Sequence, residues 1–498
     1  MIRARFRLKP FRHQLREYVA SRDLKSRALL WHMRTGKTKV MVDTACYLYE
    51  SGKIDGVLVL AQNGVHANWA LDEIPTHSWA DVPWLVHRWS SSPPNKQAQQ
   101  DHDASLARCL RKGPWGELHW LCINTEALIL PRVKKAFMSF LNGRRILLVV
   151  DESHDYRTPG SKRSKRVRAL ARRTAYRRIL TGTVVSNTPL AAFAQFEILQ
   201  KGALGFETYG AFEQRYAEYE MEKTRGGRTF PTLKGYRNLD ELKARMAWYS
   251  SVVLREDCED MPQLLRVRRR FDLTPGQMAY YEQLRETCAV ILRDESEPVT
   301  RFSGGVMLTK LQQVASGYVV DEEGTVVDVI PPDKNPRLDL LMEEVRDAMD
   351  KVVIWCRFRE DIKRVVARLK REKLSHVVYM GGMSEAAKLE ARTSFQSDRG
   401  IRCFVGQPQS GGVGIPLHSA GAVIWYSHVF DLIYRDQASE RASKAGKSFV
   451  NLIDIVATDT VDPGIIRKLD EKRSISDALG GAGLRDFLLE LIQGETYG

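Results

Sequence analysis

Two short groups of residues in the first third of the chain could do chemistry together. The first is Gly36-Lys37-Thr38. A glycine turn ahead of a helix lets backbone N–H groups surround phosphate oxygens, the lysine reaches those oxygens, and the threonine hydroxyl binds Mg²⁺. The second group lies 114 residues further on, where the apolar run LLVV ends at Asp151-Glu152. Such a pair can place one carboxylate on a metal and the other beside an attacking water. Together the two groups predict an ATPase that uses Mg²⁺.

Short apolar runs of strand character recur in two series, and each run is followed by a helical pattern. This alternation is typical of parallel sheets with helices on both faces. The runs are 57–62, 120–125 and 146–153 in the first half, and 351–358, 376–382, 401–407, 422–427 and 450–456 in the second. They predict an α/β fold with two parallel-sheet domains. We interpret the stretch from about 200 to 345 as mostly helical, 87–103 as a polar loop, and 483–493 as a closing amphipathic helix.

The bulk composition limits the class of protein and its partners. The 498 residues suit two or three domains. Lys+Arg is 76 against Asp+Glu 61, which gives a net charge of +15 and a pI near 9.4. A basic excess favours a polyanionic partner, nucleic acid before membrane, because Lys and Arg displace counterions condensed on phosphates.

Cysteine spacing and apolar runs indicate the compartment. The seven cysteines are scattered without a C-x-x-C pair, so we expect neither a zinc site nor a disulfide framework. No apolar run reaches the roughly 18 residues of a membrane helix, and the N-terminus lacks the apolar part of a signal peptide. We therefore expect no membrane partner and a cytoplasmic location, on the nucleoid or, for a viral protein, in the host cytoplasm.

One segment concentrates positive charge. Residues 157–178 contain ten Lys/Arg and no acidic residue. Like charges at this density repel one another unless a partner neutralises them. We predict that the segment binds phosphates independently of base sequence, through Arg163, Lys165, Arg166, Arg172 and Arg173. A solvated helix face that binds nothing is the alternative interpretation.

Ten segments follow one another in an order that resembles the Swi/Snf-type ATPases of helicase superfamily 2. They are LKPFRHQ (8–14), MRTGKT (33–38), LAQNGVHANW (60–69), INTEAL (123–128), DESH (151–154), LTGTVVSN (180–187), VVLREDCEDMP (252–262), SGGVGIPLHSA (410–420), DQASERASKAGK (436–447) and NLIDIVATDTVD (451–462). The resemblance implies two RecA-like lobes. We place the first lobe at 1–265 with a helical insertion at about 200–250, the second at 266–456 with an insertion at about 275–345, and a C-terminal bracing segment at 457–498.

The resemblance also implies roles at matching positions. Asp151 binds Mg²⁺ together with Thr38, and Glu152 is the general base for water. Thr181 and Thr183 couple the nucleotide state to lobe movement and lie among the nucleic-acid-binding residues. From the second lobe, Arg441 projects onto the phosphates. Gln437 and Lys444 join Glu152 and Arg441 as the expected catalytic residues. The remaining nucleotide-site positions are Gln14 in the adenine-reading position, Arg34, Thr35, Gly36, Lys37, His154, Gly412 and Gly414.

Four positions depart from the family pattern. Trp31 stands where the phosphate loop begins with glycine, Val184 replaces a proline, and Pro416 replaces an asparagine. Lys444 stands where the family has a second arginine, and lysine keeps the charge without the planar fork of a guanidinium. These departures bear on the rate of hydrolysis more than on the fold.

The leading hypothesis is an ATP-dependent translocase on double-stranded DNA that remodels DNA structures or displaces bound protein. One alternative is a strand-separating DNA or RNA helicase of the same superfamily. Another alternative is a slow or inactive ATPase that acts as a nucleotide-gated DNA clamp, which Lys444 and Trp31 suggest.

Overall fold

The chain forms two compact units, residues 1–219 with 234–259 and residues 220–233 with 260–498. The computed structural model describes residues 5–91, 93, 95–111, 113, 116–182, 188–223, 229–254, 257–258, 262–293, 301–411, 417–443 and 449–470. No helix among them combines the length and apolar character that a membrane crossing requires. The lobe boundaries given above stay a prediction.

The first unit is built on a seven-stranded parallel sheet in the order β3-β4-β2-β5-β6-β1-β9. The strands are β1 (Ser26–Trp31), β2 (Gly56–Ala61), β3 (Trp84–Arg88), β4 (Leu118–Asn124), β5 (Ile146–Val150), β6 (Tyr176–Thr181) and β9 (Ser250–Val253). Strands β2, β4 and β5 are buried along their whole length, as expected for a sheet with helices on both faces.

Ten helices belong to the first unit in the described part of the chain. They are α1 (Arg12–Ser21), α2 (Lys37–Glu50), α3 (Val65–Asn68), α4 (Ile74–His77), α5 (Lys96–Leu110), α6 (Pro131–Leu141), α7 (Lys162–Ala171), α8 (Ala191–Leu199), α9 (Tyr209–Tyr216) and α10 (Leu239–Ala247). A π-helical turn (Trp69–Glu73) joins α3 to α4. Two strands, β7 (Ala217–Lys223) and β8 (Thr229–Tyr236), form a separate ribbon.

The second unit contains a six-stranded parallel sheet in the order β10-β17-β16-β13-β15-β14. The strands are β10 (Gln263–Phe271), β13 (Lys351–Trp355), β14 (His376–Tyr379), β15 (Cys403–Gly406), β16 (Ala420–Trp425) and β17 (Phe449–Ala457), and a small antiparallel pair consists of β11 (Tyr318–Val320) and β12 (Val326–Asp328). The helices are α11 (Pro275–Arg293), α12 (Arg301–Ala315), α13 (Pro336–Asp347), α14 (Arg359–Arg371), α15 (Glu385–Ser397), α16 (Pro408–Gly411), α17 (Leu432–Ser439) and α18 (Val461–Asp470).

Buried ion pairs connect the elements of the second unit. Arg337 of α13 pairs with Asp462 of α18, and both side chains are inaccessible to solvent. Arg435 of α17 pairs with Asp454 of β17 and also contacts the Nδ1 atom of His428 at 3.0 Å. A buried charge is tolerated only when it is paired and hydrogen-bonded, so these pairs fix which helix faces which strand.

Each of the eight predicted apolar runs contains a strand, and the two predicted parallel-sheet domains are present. Two expectations were wrong. Residues 96–110 form helix α5 rather than a loop, because the Asn95 side chain accepts the backbone N–H of Ala98 and caps the helix. The stretch from 200 to 345 is not mostly helical, since it contains β7 to β12. The predicted helix at 483–493 lies outside the described residues.

Candidate nucleotide site

The phosphate loop joins the carboxyl end of β1 to the start of α2. Gly36 caps α2 in a left-handed conformation (φ +80°), and a Cβ at this position would lie 2.0 Å from Nε2 of Gln14. Arg34 is also left-handed, with φ of 63°. No side chain caps α2, so its first backbone N–H groups point out of the helix toward a place where an anion can accept them. Thr38 is the second residue of the helix and is half-buried.

Helix α1 holds this loop from one side. The Gln14 amide donates to the Thr35 carbonyl at 3.2 Å and accepts the Phe11 backbone N–H at 2.8 Å. The His13 ring nitrogen Nε2 lies 2.8 Å from the same Thr35 carbonyl. The structure therefore brings Gln14 against the glycine turn, although which base Gln14 reads stays a prediction.

Lys37 donates to the backbone carbonyls of the loop itself. Its Nζ atom is 2.9 Å from the Trp31 carbonyl and 3.2 Å from the His32 carbonyl. The Thr35 hydroxyl also donates to the His32 carbonyl, at 2.8 Å. A buried ammonium needs such acceptors, and phosphate oxygens are stronger acceptors of the same type. Lys37 can therefore exchange loop carbonyls for a nucleotide.

Trp31 does not occupy the loop. It is the last residue of β1, its side chain is fully buried, and its indole N–H donates to the Ser251 hydroxyl of β9 at 2.8 Å. The tryptophan in the position of the usual glycine thus packs into the sheet. This departure from the family pattern leaves the glycine turn at Gly36 intact.

The acidic pair follows β5 at the same edge of the sheet as the phosphate loop. Asp151 is buried, and its two carboxylate oxygens accept different donors: Oδ1 accepts the Glu152 backbone N–H at 3.0 Å and Oδ2 accepts the Trp69 indole N–H at 2.8 Å. Burial, followed by the charge of Glu152, raises the pKa of Asp151 to about 6, and the charge of Lys37 acts in the opposite direction. Each carboxylate oxygen has a second lone pair, so the donor set fits a divalent cation.

Glu152 is held by its own strained turn and by a histidine. Its backbone is left-handed (φ 48°), a conformation typical of strain at functional sites. Its Oε2 atom lies 3.2 Å from Nδ1 of His154. Burial alone would lower the pKa of His154, but the hydrogen bond and the charge of Glu152 outweigh burial and raise it. The His154 ring therefore orients the neighbouring carboxylate.

His154 also contacts the end of β6. Its Nδ1 atom is 3.3 Å from the Thr181 hydroxyl, and both side chains are buried. The acidic turn after β5 and the last residue of β6 are therefore in direct contact within one unit. This contact gives a path by which a change at Glu152 can reach Thr181.

The second unit holds two of the predicted catalytic residues. Gln437 is buried in α17, and Arg441 lies half-buried in the 3-10 turn that follows, with its backbone carbonyl accepting the Leu417 N–H at 3.0 Å. Four other predicted site residues lie outside the described residues: Thr183, Gly412, Gly414 and Lys444. The departures at Val184 and Pro416 also lie outside them.

The basic segment folds into α7 and β6. The side chains of Lys165, Arg172 and Arg173 are exposed, whereas Arg163 is half-buried and Arg166 donates to the Leu128 carbonyl at 2.6 Å. Arg178 is completely buried and donates to the Ser21 carbonyl at 2.9 Å. The ten charges are therefore not equivalent, since some stabilise the fold and others face solvent.

Sequence analysis missed a second basic helix beside α7. Helix α6 exposes Arg132, Lys134 and Lys135 and buries its apolar face. Because α6 connects β4 to β5 and α7 connects β5 to β6 in the same direction along the sheet, right-handed crossovers put both on one face. Residues 127–196 contain fifteen Lys/Arg and three acidic residues, a net +12 within a chain of net +15. The excess of fifteen Lys/Arg over three acidic residues across this span was the signal.

Comparisons with known proteins agree with the motif order. An uncharacterized ATP-dependent helicase of Schizosaccharomyces pombe is 30% identical over 139 residues, which are 28% of this chain and 13% of that protein. A DNA annealing helicase and endonuclease of Bos taurus is 22% identical over 335 residues, 66% of this chain and 29% of the relative. The chain thus spans less than a third of the length of these two curated relatives. No family model matches it.

Among solved structures, the Sulfolobus solfataricus SWI2/SNF2 ATPase core in complex with double-stranded DNA is 17% identical. The match covers 100% of this chain and 99% of the Sulfolobus chain, with a TM-score of 0.42. The similarity to helicases rests on the sequence relatives and on the order of the motifs. The chain is therefore similar in sequence to ATP-dependent helicases, and the order of its motifs resembles that of the Swi/Snf-type ATPases of helicase superfamily 2.

Proposed function

We propose that this chain hydrolyses ATP and uses the energy to move along double-stranded DNA without reading its sequence. One observation carries the proposal. The glycine turn with Lys37 and the buried acidic pair Asp151-Glu152 follow β1 and β5, whose carboxyl ends lie at one edge of the first sheet. Ligands of open parallel sheets bind at this edge. The relatives are ATP-dependent and DNA annealing helicases by name, which supports the choice of ATP and DNA.

Each residue has a task in hydrolysis. Lys37 and the first N–H groups of α2 bind the phosphates. Asp151 and Thr38 hold Mg²⁺, which neutralises phosphate charge when it is bound. Glu152, oriented by His154, takes the proton from the attacking water. The family resemblance assigns Gln437 and Arg441 to stabilising the charge that develops on the phosphate.

The DNA-binding surface in this proposal is the basic face of α6 and α7. A duplex carries one negative charge per about 1.7 Å of its axis, so a polycation on a rigid face gains affinity by releasing condensed counterions. None of the exposed groups on α6 and α7 has the acidic neighbours that would screen it along the sequence. Contacts to the phosphate backbone carry no sequence information, which suits a translocase.

The test is the ATP turnover rate of the purified chain without nucleic acid and with duplex DNA, single-stranded DNA or RNA. We expect duplex DNA to stimulate turnover most. The Lys37→Ala variant should abolish turnover while the fold persists, because it removes a charge-assisted phosphate contact but little packing. The matched control is Lys25→Ala, since Lys25 is exposed just before β1, at the opposite end of the same strand.

The outcomes separate the alternatives. Stronger stimulation by single-stranded DNA or RNA, with displacement of a strand from forked substrates, would assign the chain to strand-separating helicases. ATP binding without turnover in any of the four conditions would identify a nucleotide-gated clamp. Near-normal turnover in Lys37→Ala would overturn the assignment of the phosphate loop.

A further inference from the structure

Trp69 is the side chain that connects the helical stretch after β2 to the acidic turn after β5. Strands β2 and β5 are neighbours, and their pairing continues to the Asp151 backbone N–H, which donates to the Leu60 carbonyl at 2.8 Å. Trp69 lies eight residues beyond the end of β2 and is 1% exposed. Its indole N–H crosses to Oδ2 of Asp151 at 2.8 Å. A buried donor and a buried acceptor meet here without access to water.

The local backbone supports this reach. Trp69 begins the π-helical turn Trp69–Glu73, in which its carbonyl accepts the N–H of Ile74. Single π-turns inside helices widen the helix by one residue and are frequent at functional sites. Between the α-helical segments α3 and α4, the backbone is π-helical only over Trp69–Glu73. The irregular turn therefore coincides with the residue that contacts Asp151.

We propose that Trp69 is a positioning residue for the Mg²⁺ that the nucleotide site requires, holding the Asp151 carboxylate in the orientation that the metal needs. This inference rests on the proposed function. An indole is a rigid group that can only donate, so it fixes Oδ2 while the Glu152 backbone fixes Oδ1. Both oxygens keep a lone pair for the cation. Hydrogen-bond partners of metal-binding groups typically contribute 10- to 100-fold in metal affinity.

The chain supplies a matched control in Trp79. This tryptophan is also 1% exposed, and its indole N–H donates to another buried carboxylate, Oδ1 of Asp43, at 3.0 Å. Asp43 pairs with Lys39 on α2 and belongs to no part of the proposed site. Trp69→Phe and Trp79→Phe each delete one indole N–H that donates to a buried carboxylate. Both substitutions also remove the same side-chain volume. They should lose similar thermal stability and differ only in metal binding.

The experiment measures the apparent dissociation constant of Mg²⁺ in the presence of saturating ADP, from the Mg²⁺-dependent rise in thermal unfolding midpoint of the full chain. We expect a roughly 10- to 100-fold weaker constant for Trp69→Phe and a change within about twofold for Trp79→Phe. The affinity for ADP without Mg²⁺ should be the same in both variants. Equal Mg²⁺ constants in the two variants would overturn the inference.

A second pair of variants guards against misfolding of Trp69→Phe. Trp69→Gln and Trp69→Leu have similar size, but only glutamine keeps an N–H donor. If the donor matters, Trp69→Gln binds Mg²⁺ more tightly than Trp69→Leu, and equal constants contradict the proposal. If the wild-type chain shows no Mg²⁺-dependent binding of ADP, the proposed function fails as well. If the wild type binds and the variants do not differ, only the role of Trp69 fails.

Discussion

At the scale of single residues, the nucleotide site contains backbone strain that glycine would not suffer. Arg34 and Glu152 both have positive φ angles, 63° and 48°, and a left-handed L-residue costs about 1–2 kcal/mol. The surrounding contacts must overcome this cost. For Glu152 they include the contact between its carboxylate and His154 and the bond from its N–H to Asp151. Strain of this kind fixes where the Glu152 carboxylate points before any water arrives.

Glu152→Gln tests the role of this carboxylate. The amide keeps the size of the side chain but cannot take a proton from water, so the variant should bind ATP and lose turnover by about 10²- to 10⁴-fold. The measurement compares nucleotide affinity with the turnover rate. The matched control is Glu207→Gln, an exposed carboxylate between α8 and α9. Loss of affinity and turnover together would make Glu152 a structural residue.

A second residue-scale prediction concerns acid stability. Burial, with smaller contributions from His102 and Arg88, lowers the pKa of His87 to about 3. Between about pH 3 and the ordinary histidine pKa of 6.5, His87 is protonated in the unfolded chain but neutral in the folded chain. The folded state therefore loses stability as the pH falls below about 6.5. The loss is up to about 1.4 kcal/mol per pH unit.

His87→Asn should reduce that acid sensitivity, because asparagine can still form a hydrogen bond with the Ser105 hydroxyl but does not titrate. The measurement is the thermal unfolding midpoint of the full chain between pH 7.5 and pH 5. His77→Asn, on α4 of the same unit, is the matched control for a histidine-to-asparagine replacement, and His87→Asn should reduce the acid sensitivity more than this control does. An identical slope in His87→Asn and the wild type would show that burial of His87 does not limit stability in acid.

At the scale of elements, the sequence predicted which segments form strands better than it predicted which basic side chains stabilise the fold and which face solvent. The eight apolar runs became strands because buried parallel strands need continuous apolar residues. Strand β6 was missed, since its first residues are Tyr176, Arg177 and Arg178. Arg178 is nonetheless fully buried, and burial lowers its pKa to about 10. Whether an arginine is tied to backbone carbonyls depends on tertiary contacts that spacing along the chain does not encode.

The same distinction sharpens the prediction for α7. Lys165, Arg172 and Arg173 are exposed, whereas Arg166 is tied to the Leu128 carbonyl. Replacing the three exposed residues with glutamine should weaken DNA binding equally for all sequences. The slope of log K against log salt should become shallower by roughly 0.9 per lost phosphate contact. Adding Arg132→Gln, Lys134→Gln and Lys135→Gln on α6 should reduce the slope further.

The control for this element is a triple variant on α14 of the second unit, Lys363→Gln, Lys370→Gln and Arg371→Gln. These residues are exposed, and replacing them removes the same net charge as replacing Lys165, Arg172 and Arg173. A specific surface on α6 and α7 predicts an unchanged slope for the control. If both triple variants shift the slope alike, the effect is one of net charge, and α7 is a solvated helix face.

At the scale of the whole molecule, the motifs are divided between the two units. The phosphate loop and the acidic pair belong to the first unit, whereas Gln437 and Arg441 belong to the second. The order of the motifs along the sequence predicted both sets, and their roles in hydrolysis stay predictions. It could not identify Trp69, since an indole that donates to a distant carboxylate leaves no spacing signal in one sequence.

The last prediction follows from this division: the rate of ATP hydrolysis should depend on residues of the second unit. Arg441→Ala should leave nucleotide affinity nearly unchanged, because the phosphate-binding groups of the first unit remain. Turnover should fall on the order of 10³-fold or more, as for arginine fingers. Lys444→Arg should raise DNA-stimulated turnover, since a guanidinium can bridge two phosphate oxygens where an ammonium donates as a point charge. Arg399→Ala, an exposed arginine after α15, is the control. Unchanged turnover in Arg441→Ala would confine catalysis to the first unit and would remove the physical basis for a motor.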